Sequence, residues 1–242
     1  MPPMKLLTII LSSLIFTFTA PAQSIRLLVV TGGHDYNQPE FEGMLDSMPG
    51  RVSYKVAELP EAFALFEKQH RSEYDVIVFY HMWQKISSDQ QTAMAECIRE
   101  GKPLIVLHHS ICAFDDWNEY VNLIGGKYFH RPDTIDGRIL SVSSYQHDVP
   151  VSIQVVRDQH PVTEGIDDFM IIDETYNNFY VQPTVTPLLI TDTPGSTKII
   201  GWTKQYGKSR VVTFQSGHDV PAFRSTEFRK LLWQAINWVS KS

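Results

Sequence analysis

LIVLHHSICAF, residues Leu104 to Phe114, is the stretch that decides the fold. Four apolar residues end abruptly at His108 and His109, and Ser110 follows before the chain becomes apolar again. A short and wholly apolar run is typical of a strand that is buried on both faces of a parallel sheet. Ligands of such sheets bind beyond the carboxyl ends of the strands. The two histidines are therefore candidates for the floor of a pocket.

Similar apolar runs alternate with segments of helical periodicity along the chain. They are Ile25–Thr31, Val52–Val56, Val76–Tyr80, Thr186–Thr191, Lys198–Thr203 and Arg210–Phe214. This alternation predicts an α/β fold with a mostly parallel sheet and helices on both faces. The last three runs are closely spaced, which is also compatible with antiparallel strands. Alternating residues between Tyr128 and Val156 predict an added β hairpin at the edge of the sheet.

Three helices are indicated by apolar stripes and capping residues. Ser88 with Gln91 predicts a capping box at the start of the first, and Asp116 with Glu119 predicts the start of the second. The third carries apolar residues at helical spacing between positions 228 and 239. The two cysteines, Cys97 on a helix and Cys112 after a strand, are expected to be buried free thiols, with a disulfide as the alternative.

The amino terminus has the pattern of a secretory signal. Lys5 precedes the apolar run Leu6–Thr19, and small residues follow at positions 20–22. The run is shorter than the roughly 20 apolar residues that a spanning helix needs, so no membrane anchor is expected after cleavage. We therefore predict a signal peptide at residues 1–22, cleavage near Gln23, and a single domain over residues 23–242. The expected location is the periplasm or the extracellular space.

The overall charge argues against one class of partner. The chain of 242 residues carries a formal net charge of −6, and its Lys and Arg residues form no cluster. Nucleic-acid binding requires a basic patch, so no nucleic-acid partner is expected. The sequence leaves the oligomeric state open.

Five of the nine histidines follow the ends of predicted strands. They are His34, His81, His108, His109 and His218. Parallel strands bring their carboxyl ends to one edge of a sheet, so we expect these side chains to converge on one site. For each histidine taken alone, a hydrogen-bonded structural role is the alternative.

At the shared site, His108 and His218 are the candidate acid and base, because imidazole exchanges protons near neutral pH. Asp219 or Glu174 would fix the tautomer of His218. The imidazoles of His34, His108 and His218, together with a carboxylate, are also a ligand set for a divalent metal such as zinc. Both chemistries stay open at this point.

Further residues near the strand ends are candidates for substrate contacts. Gly32 and Gly33 allow close approach of the backbone and supply amide donors. Aromatic side chains stack on sugar rings, although each of these also has a place in the core. The proposed contacts are Gly32, Gly33, His34, His81, His109, Ser110, Trp117, Tyr176 and Phe223.

Several blocks of sequence occur together in a recognisable order. They are VVTGGHDYN (29–37), YDVIVFYHMW (74–83), ISSDQQTAM (86–94), the stretch 101–129, HPVTEGIDDF (160–169), DETYNNFYV (173–181), GWTKQYGKSRVVTFQSGHDVPAF (201–223) and FRKLLWQAINWV (228–239). In these blocks the chain resembles the ThuA-like (trehalose-utilisation) family, a branch of the class I glutamine amidotransferase-like superfamily. The resemblance covers nearly everything after residue 22.

The resemblance implies a flavodoxin-like three-layer sandwich and a role in carbohydrate catabolism, on a disaccharide or a keto-sugar derivative. Amidotransferases of this superfamily carry a cysteine nucleophile where His108 stands here, and Cys112 lies four residues too late. His218 matches their catalytic histidine, but Asp219 and Val220 replace the Pro and Glu that follow it. Glutamine hydrolysis is therefore not expected.

These observations lead to two functional hypotheses. The first is an exported sugar-processing enzyme, a hydrolase, lyase or isomerase, that uses histidine acid–base or metal-assisted chemistry on a small carbohydrate. The alternative is a carbohydrate-binding or accessory protein that uses the same pocket without catalysis.

Overall fold

The computed structural model describes residues 24–50, 52–135, 137–156 and 159–241. The predicted signal peptide, residues 1–22, and its cleavage position lie outside the described residues. Among the helices of these ranges, none is both long and apolar enough to cross a membrane.

The strands account for most of the framework that positions the site. In chain order they are β1 (Ile25–Gly32), β2 (Val52–Glu58), β3 (Val76–His81), β4 (Leu104–Leu107), β5 (Gly126–Lys127), β6 (Asp133–Ile135), β7 (Arg138–Leu140), β8 (Ser144–Val155), β9 (Phe169–Asn177), β10 (Tyr180–Val181), β11 (Thr186–Ile190), β12 (Ile199–Tyr206) and β13 (Ser209–Phe214). Nine of them form one sheet in the order β2-β1-β3-β4-β13-β12-β11-β8-β9.

The sheet has a parallel half and an antiparallel half. Strands β2, β1, β3, β4 and β13 run parallel, whereas β12, β11, β8 and β9 each pair antiparallel with their neighbours. Every residue of β3 and β4 is buried, which explains why β4 and the first five residues of β3 are apolar. The predicted mostly parallel α/β sheet is confirmed.

Helices cover both faces of this sheet. They are α1 (Gln38–Asp46), α2 (Ser88–Arg99), α3 (Asn118–Ile124), α4 (Val220–Arg224) and α5 (Thr226–Val239). Helices α1, α4 and α5 pack with Val29 and Val78 on one face, and α2 and α3 pack with Val30 and Phe79 on the other. Cys97 in α2 and Cys112 after β4 are buried free thiols. The result is the predicted three-layer sandwich.

Two predicted helix starts are displaced by a residue or more. Ser87 caps α2 in a reciprocal capping box with Gln90, one position before the predicted pair. The cap position of α3 is Trp117 rather than Asp116, and its side chain caps nothing. The Asp116 carboxylate instead pairs with Arg131, which explains why it does not cap the helix.

The added hairpin differs from the prediction in its strands. β8 is one strand of 12 residues that includes Tyr145, and it pairs with β9, whereas Val142 lies in no strand. The pair Asp173-Glu174 lies in the middle of β9. We refer to the paired strands β8 and β9 as the ribbon.

The ribbon reaches across the carboxyl edge of the sheet. Only two residue pairs, at Gln154 and Val155, join β8 to β11. β9 is the outermost strand, five positions from β4, yet its Glu174 contacts His108 directly after β4. The ribbon therefore bends over the ends of β13, β12 and β11 and covers the site beside His108.

Candidate functional site

The turn after β4 sets the position of the first histidine. His108 has a left-handed φ of 42° at the start of a 3₁₀ helix, His108–Cys112, and its side chain is completely buried. Its Nδ1 makes a very short hydrogen bond to the backbone carbonyl of Gln215. A carbonyl only accepts, so Nδ1 carries the proton and Nε2 presents a lone pair to the site.

Nε2 of His108 faces two polar atoms of the ribbon. It lies 2.7 Å from Oε2 of Glu174 and 2.9 Å from the hydroxyl of Tyr176. The Tyr176 hydroxyl can donate to this nitrogen, but a carboxylate oxygen cannot. The contact between Nε2 and Oε2 therefore requires a shared proton or a cation.

Glu174 is the centre of the cluster. Its Oε2 lies 3.5 Å from Nε2 of His218 and 3.9 Å from Nε2 of His109. Its other oxygen, Oε1, lies 3.8 Å from Nδ1 of His147. The side chain of Glu174 is only 5% exposed. The site is therefore a buried carboxylate that is surrounded by the imidazoles of four histidines.

His147 reaches the cluster through an irregularity in β8, and the sequence analysis missed it. The strand register shifts between Gln146 and Val149, opposite the stretch of β9 that carries Glu174, and Asp148 has a φ of 55°. A β-bulge redirects side chains, and such bulges are common beside active sites. No motif around His147 signals the bulge, so nothing local in the chain indicates the role of this histidine.

His34 extends the cluster on the side of β1. Its ring lies 4.3 Å from that of His109, centroid to centroid. Both of its ring nitrogens lie within hydrogen-bond distance of backbone carbonyls, 3.0 Å from Tyr80 and 3.1 Å from Asp35. His34 therefore borders the site, but its nitrogens do not converge with those of His108 and His218 as the predicted metal set required.

Asp173 holds the loop that carries His218. Its carboxylate accepts the backbone N–H groups of Gly217 at 2.8 Å and His218 at 2.9 Å. Burial raises the pKa of Asp173 to about 7, although these hydrogen bonds act in the opposite direction. The Tyr80 hydroxyl donates to the carbonyl of His218 at 2.8 Å. The histidine is thus fixed from both sides.

Burial controls the protonation of the cluster. It lowers the pKa of His108 and of His109, and neighbouring imidazoles lower both further. Burial also lowers the pKa of His218, against the attraction of Glu174. The pKa of Glu174 is raised, again mainly by burial. A bound cation would stabilise this cluster, because neutral imidazoles can coordinate it and its charge would offset the cost of burying the Glu174 carboxylate.

The donor atoms are close enough to share one ion. One atom from each of His108, His109, Glu174 and His218 lies within 4.8 Å of all the others. The bond from His108 to Gln215 is the kind of outer contact that orients a metal-binding imidazole. His109 and Glu174, and not His34, complete this set.

Other predicted site residues lie elsewhere. His81 is fully buried on the face of β3 that carries Phe79, and its ring packs against Phe79 and Phe114. Burial lowers the pKa of His81 to about 3. Ser110 bonds through its hydroxyl to both backbone groups of His81. These two residues therefore support the end of β3 and do not face the histidine cluster.

Two more candidates are buried among aromatic residues, and a third is exposed. Phe223 is fully buried against Phe41 and Tyr80, and Trp117 is 7% exposed beside α3. Asp219 is exposed at the start of α4 and makes no cap hydrogen bond, and Glu174 is the carboxylate that contacts the imidazole of His218.

The glycine pair occupies the turn beside His34. Gly32 and Gly33 have φ values of 117° and 82°. A Cβ on Gly33 would lie 2.0 Å from the carbonyl oxygen of Met82. Only glycine fits there, because the turn after β1 passes directly against the segment after β3.

The sheet order, the two layers of helices and the site at the carboxyl edge define an α/β protein of the class I glutamine amidotransferase-like fold. The chain belongs to the ThuA family, described as trehalose utilisation, which it matches over residues 26–239. No curated sequence matches the chain.

Solved structures share this fold. A ThuA-like protein from Parabacteroides merdae has a TM-score of 0.73 at 18% identity and covers 90% of each chain. A ThuA-like protein from Bacteroides uniformis has a TM-score of 0.66 at 17% identity, covering 89% of this chain and 91% of its own. A Thermoplasma acidophilum protein described as part of a GMP synthase has a TM-score of 0.53 at 10% identity, with coverage of 90% and 94%.

Proposed function

We propose that this protein is a sugar-processing enzyme of carbohydrate catabolism that binds a divalent cation such as zinc at His108, His109, Glu174 and His218. The observation that carries the proposal is the arrangement of three Nε2 atoms around a single carboxylate oxygen. A bound cation would polarise a hydroxyl or carbonyl oxygen of the sugar. Catalytic zinc sites have three protein ligands and one open position, so three of these four donors would hold the cation and leave a position for that oxygen.

Exposure divides the roles of the histidines. The side chain of His108 is inaccessible, so we assign it to holding the cation and Glu174. The side chains of His218 and His147 are 25% and 53% exposed. Of the four imidazoles around Glu174 these two are the more exposed, and His147 is the one outside the ligand set. We assign proton transfer to His147, with His218 at the rim of the cation site.

Glutamine hydrolysis has no support in this site. His108 stands at the position of the superfamily's cysteine nucleophile, and burial raises the pKa of the Cys112 thiol far above its usual value. A protonated, enclosed thiol is a poor nucleophile. We therefore propose carbohydrate chemistry in place of amide hydrolysis, in line with the family description.

Metal analysis tests the proposal directly. We expect the purified protein to bind roughly one divalent ion per chain, and Glu174→Gln and His109→Ala to lose it. His70→Ala is the matched control, because His70 is a surface histidine that pairs with Glu73. Unchanged metal content in both site variants would contradict the proposal.

Turnover of trehalose, sucrose and their keto derivatives, followed by mass spectrometry, tests the enzymatic part. We expect His147→Ala to lower kcat by about 100-fold while metal content is retained. Sugar binding without product would favour the accessory-protein alternative.

We further propose that residues 1–22 direct export to the periplasm or the extracellular space. The pattern of Lys5, an apolar run and small residues supports this. Mass spectrometry of protein recovered from a bacterial expression host should find a mature chain that begins near Gln23. An intact chain from Met1 in the cytoplasmic fraction would contradict export.

A further inference from the structure

A second pocket lies at the carboxyl ends of β3 and β4, on the sheet face that carries α2 and α3. Its volume is about 730 Å³. Aromatic side chains form much of its wall, namely Trp83, Phe114 and Trp117, together with polar groups of Gln84, Gln91 and Asp116. None of the cation-binding residues proposed above lines it, so it is a separate site.

Trp83 is the most unusual residue of this pocket. Its side chain is 59% exposed, although large aromatic residues gain most from burial. Its indole Nε1 donates a hydrogen bond to Nε2 of His130 at 2.8 Å, which holds the ring at the mouth of the pocket. An exposed but fixed indole offers a flat apolar surface without further ordering.

Two of the aromatic residues have strained backbones. Trp83 has a φ of 23° and Phe114 a φ of 53°. Bulky residues rarely adopt positive φ, and such strain concentrates at binding and catalytic sites. Both strained residues line the same pocket. Like the exposed indole of Trp83, this strain indicates that the pocket binds a ligand.

The polar groups indicate which ligand fits. The side-chain amides of Gln84 and Gln91 line the pocket, and each offers donors and an acceptor. The charges around the pocket largely cancel, because Arg131 pairs with Asp115 and Asp116 and Lys85 also lines the pocket, so the lining favours a neutral ligand. A neutral ring with apolar C–H faces and hydroxyls at its edge matches this combination, and that is the chemistry of a pyranose sugar.

We propose that this pocket is a sugar-binding subsite in which a pyranose ring packs on Trp83 and its hydroxyls bond to Gln84 and Gln91. The choice of a sugar rests on the proposed function, but the geometry of the pocket does not. Gln84 lies close to the turn at Gly33, because a Cβ built on that glycine would be 2.7 Å from the amide nitrogen of Gln84.

Isothermal titration calorimetry with trehalose as the probe tests the subsite. We expect Trp83→Ala to weaken binding by about tenfold or more, and Trp83→Phe to weaken it less, because a phenyl ring keeps a stacking surface. Gln91→Ala should weaken binding independently of the tryptophan. Trp238→Phe is the matched control, because Trp238 packs against Arg210 and His160 and does not line the pocket.

The outcomes separate this proposal from the cation site. The part of trehalose binding that depends on Trp83 should persist in Glu174→Gln, even where that variant loses its metal. Absence of binding to the wild-type protein, or affinities of Trp83→Ala and Gln91→Ala within twofold of wild type, would overturn the subsite. Loss of metal without loss of sugar binding would leave the subsite intact, whatever becomes of the enzymatic proposal.

Discussion

Two consecutive histidines enter one cluster because of a single backbone conformation. In an extended strand, successive side chains point to opposite faces, so His108 and His109 would diverge. The left-handed φ of His108 starts a 3₁₀ helix at once, and the two rings end 4.4 Å apart, edge to face. The strand ends on imidazoles because that turn directs both toward Glu174.

Gly33 provides a test at the scale of one residue. Gly33→Ala should lower the free energy of unfolding by at least about 2 kcal/mol, because φ is positive and the new Cβ meets the carbonyl of Met82. Gly43→Ala, in α1 with open space around it, should raise it by about 0.5–1 kcal/mol. Denaturant unfolding of both variants makes the comparison. Equal effects would show that the turn tolerates a side chain.

His81 predicts a specific pH dependence. Its pKa is about 3 in the folded protein, below its ordinary value of 6.5, so the unfolded chain binds more protons between these values. Stability from this group is complete above pH 6.5 and falls as the pH is lowered. In His81→Phe, that loss should shrink by about 1.4 kcal/mol per pH unit between pH 6 and pH 4.

Denaturant unfolding at several pH values measures this difference, and the slope is independent of any constant change in packing. His70→Ala serves as the surface control. Parallel stability curves for His81→Phe and the wild-type protein would mean that His81 is protonated in the folded state.

Sequence reasoning named His108, His109, Glu174 and His218 as candidates and missed His147. His108, His109 and His218 stand where apolar runs end, so their convergence could be predicted from the sheet alone. His147 could not, because a bulge moves it out of the alternation that defines a strand. The hydrogen bonds of Asp173 to the His218 loop depend on a tertiary contact that no local pattern encodes.

At the scale of elements, the ribbon is the part that the sequence pattern described least well. The alternation between Tyr128 and Val156 predicted a strand pair within that stretch, but β8 pairs with β9 beyond it. Two adjacent acids, Asp173 and Glu174, lie within β9. The two acids remain in the strand because the loop amides and imidazoles replace water around them.

Helix α2 offers a test at this scale. Ser87→Ala removes a capping box and should lower the free energy of unfolding by about 1 kcal/mol. Ser88→Ala, at the next and exposed position, should change it by less than about 0.5 kcal/mol. Thermal unfolding of the two variants decides the matter. A larger effect at Ser88 would place the helix start where the sequence pattern predicted it.

At the scale of the whole molecule, the cluster is assembled from distant segments. The donors come from residues 108–109, 174 and 218, on both halves of the sheet. An unfolded chain does not hold them together, so a cation that binds the cluster must stabilise the complete fold.

This coupling predicts a concentration-dependent melting temperature. At 100 times its Kd, a bound cation adds about 2.7 kcal/mol, which corresponds to a rise in Tm of roughly 5–10 °C for a chain of this size. Scanning calorimetry with and without zinc measures the rise, and Glu174→Gln should abolish it. An equal rise in that variant would assign the effect to another site.

The curl of the ribbon gives the molecule a modular design. The parallel strands carry histidines at fixed positions, while the ribbon contributes Glu174, Tyr176 and His147. Because few backbone hydrogen bonds join the ribbon to the rest of the sheet, insertions within the ribbon can change which side chains reach the site and leave the parallel strands unchanged. Related proteins with this fold would then acquire different chemistry through changes in the ribbon.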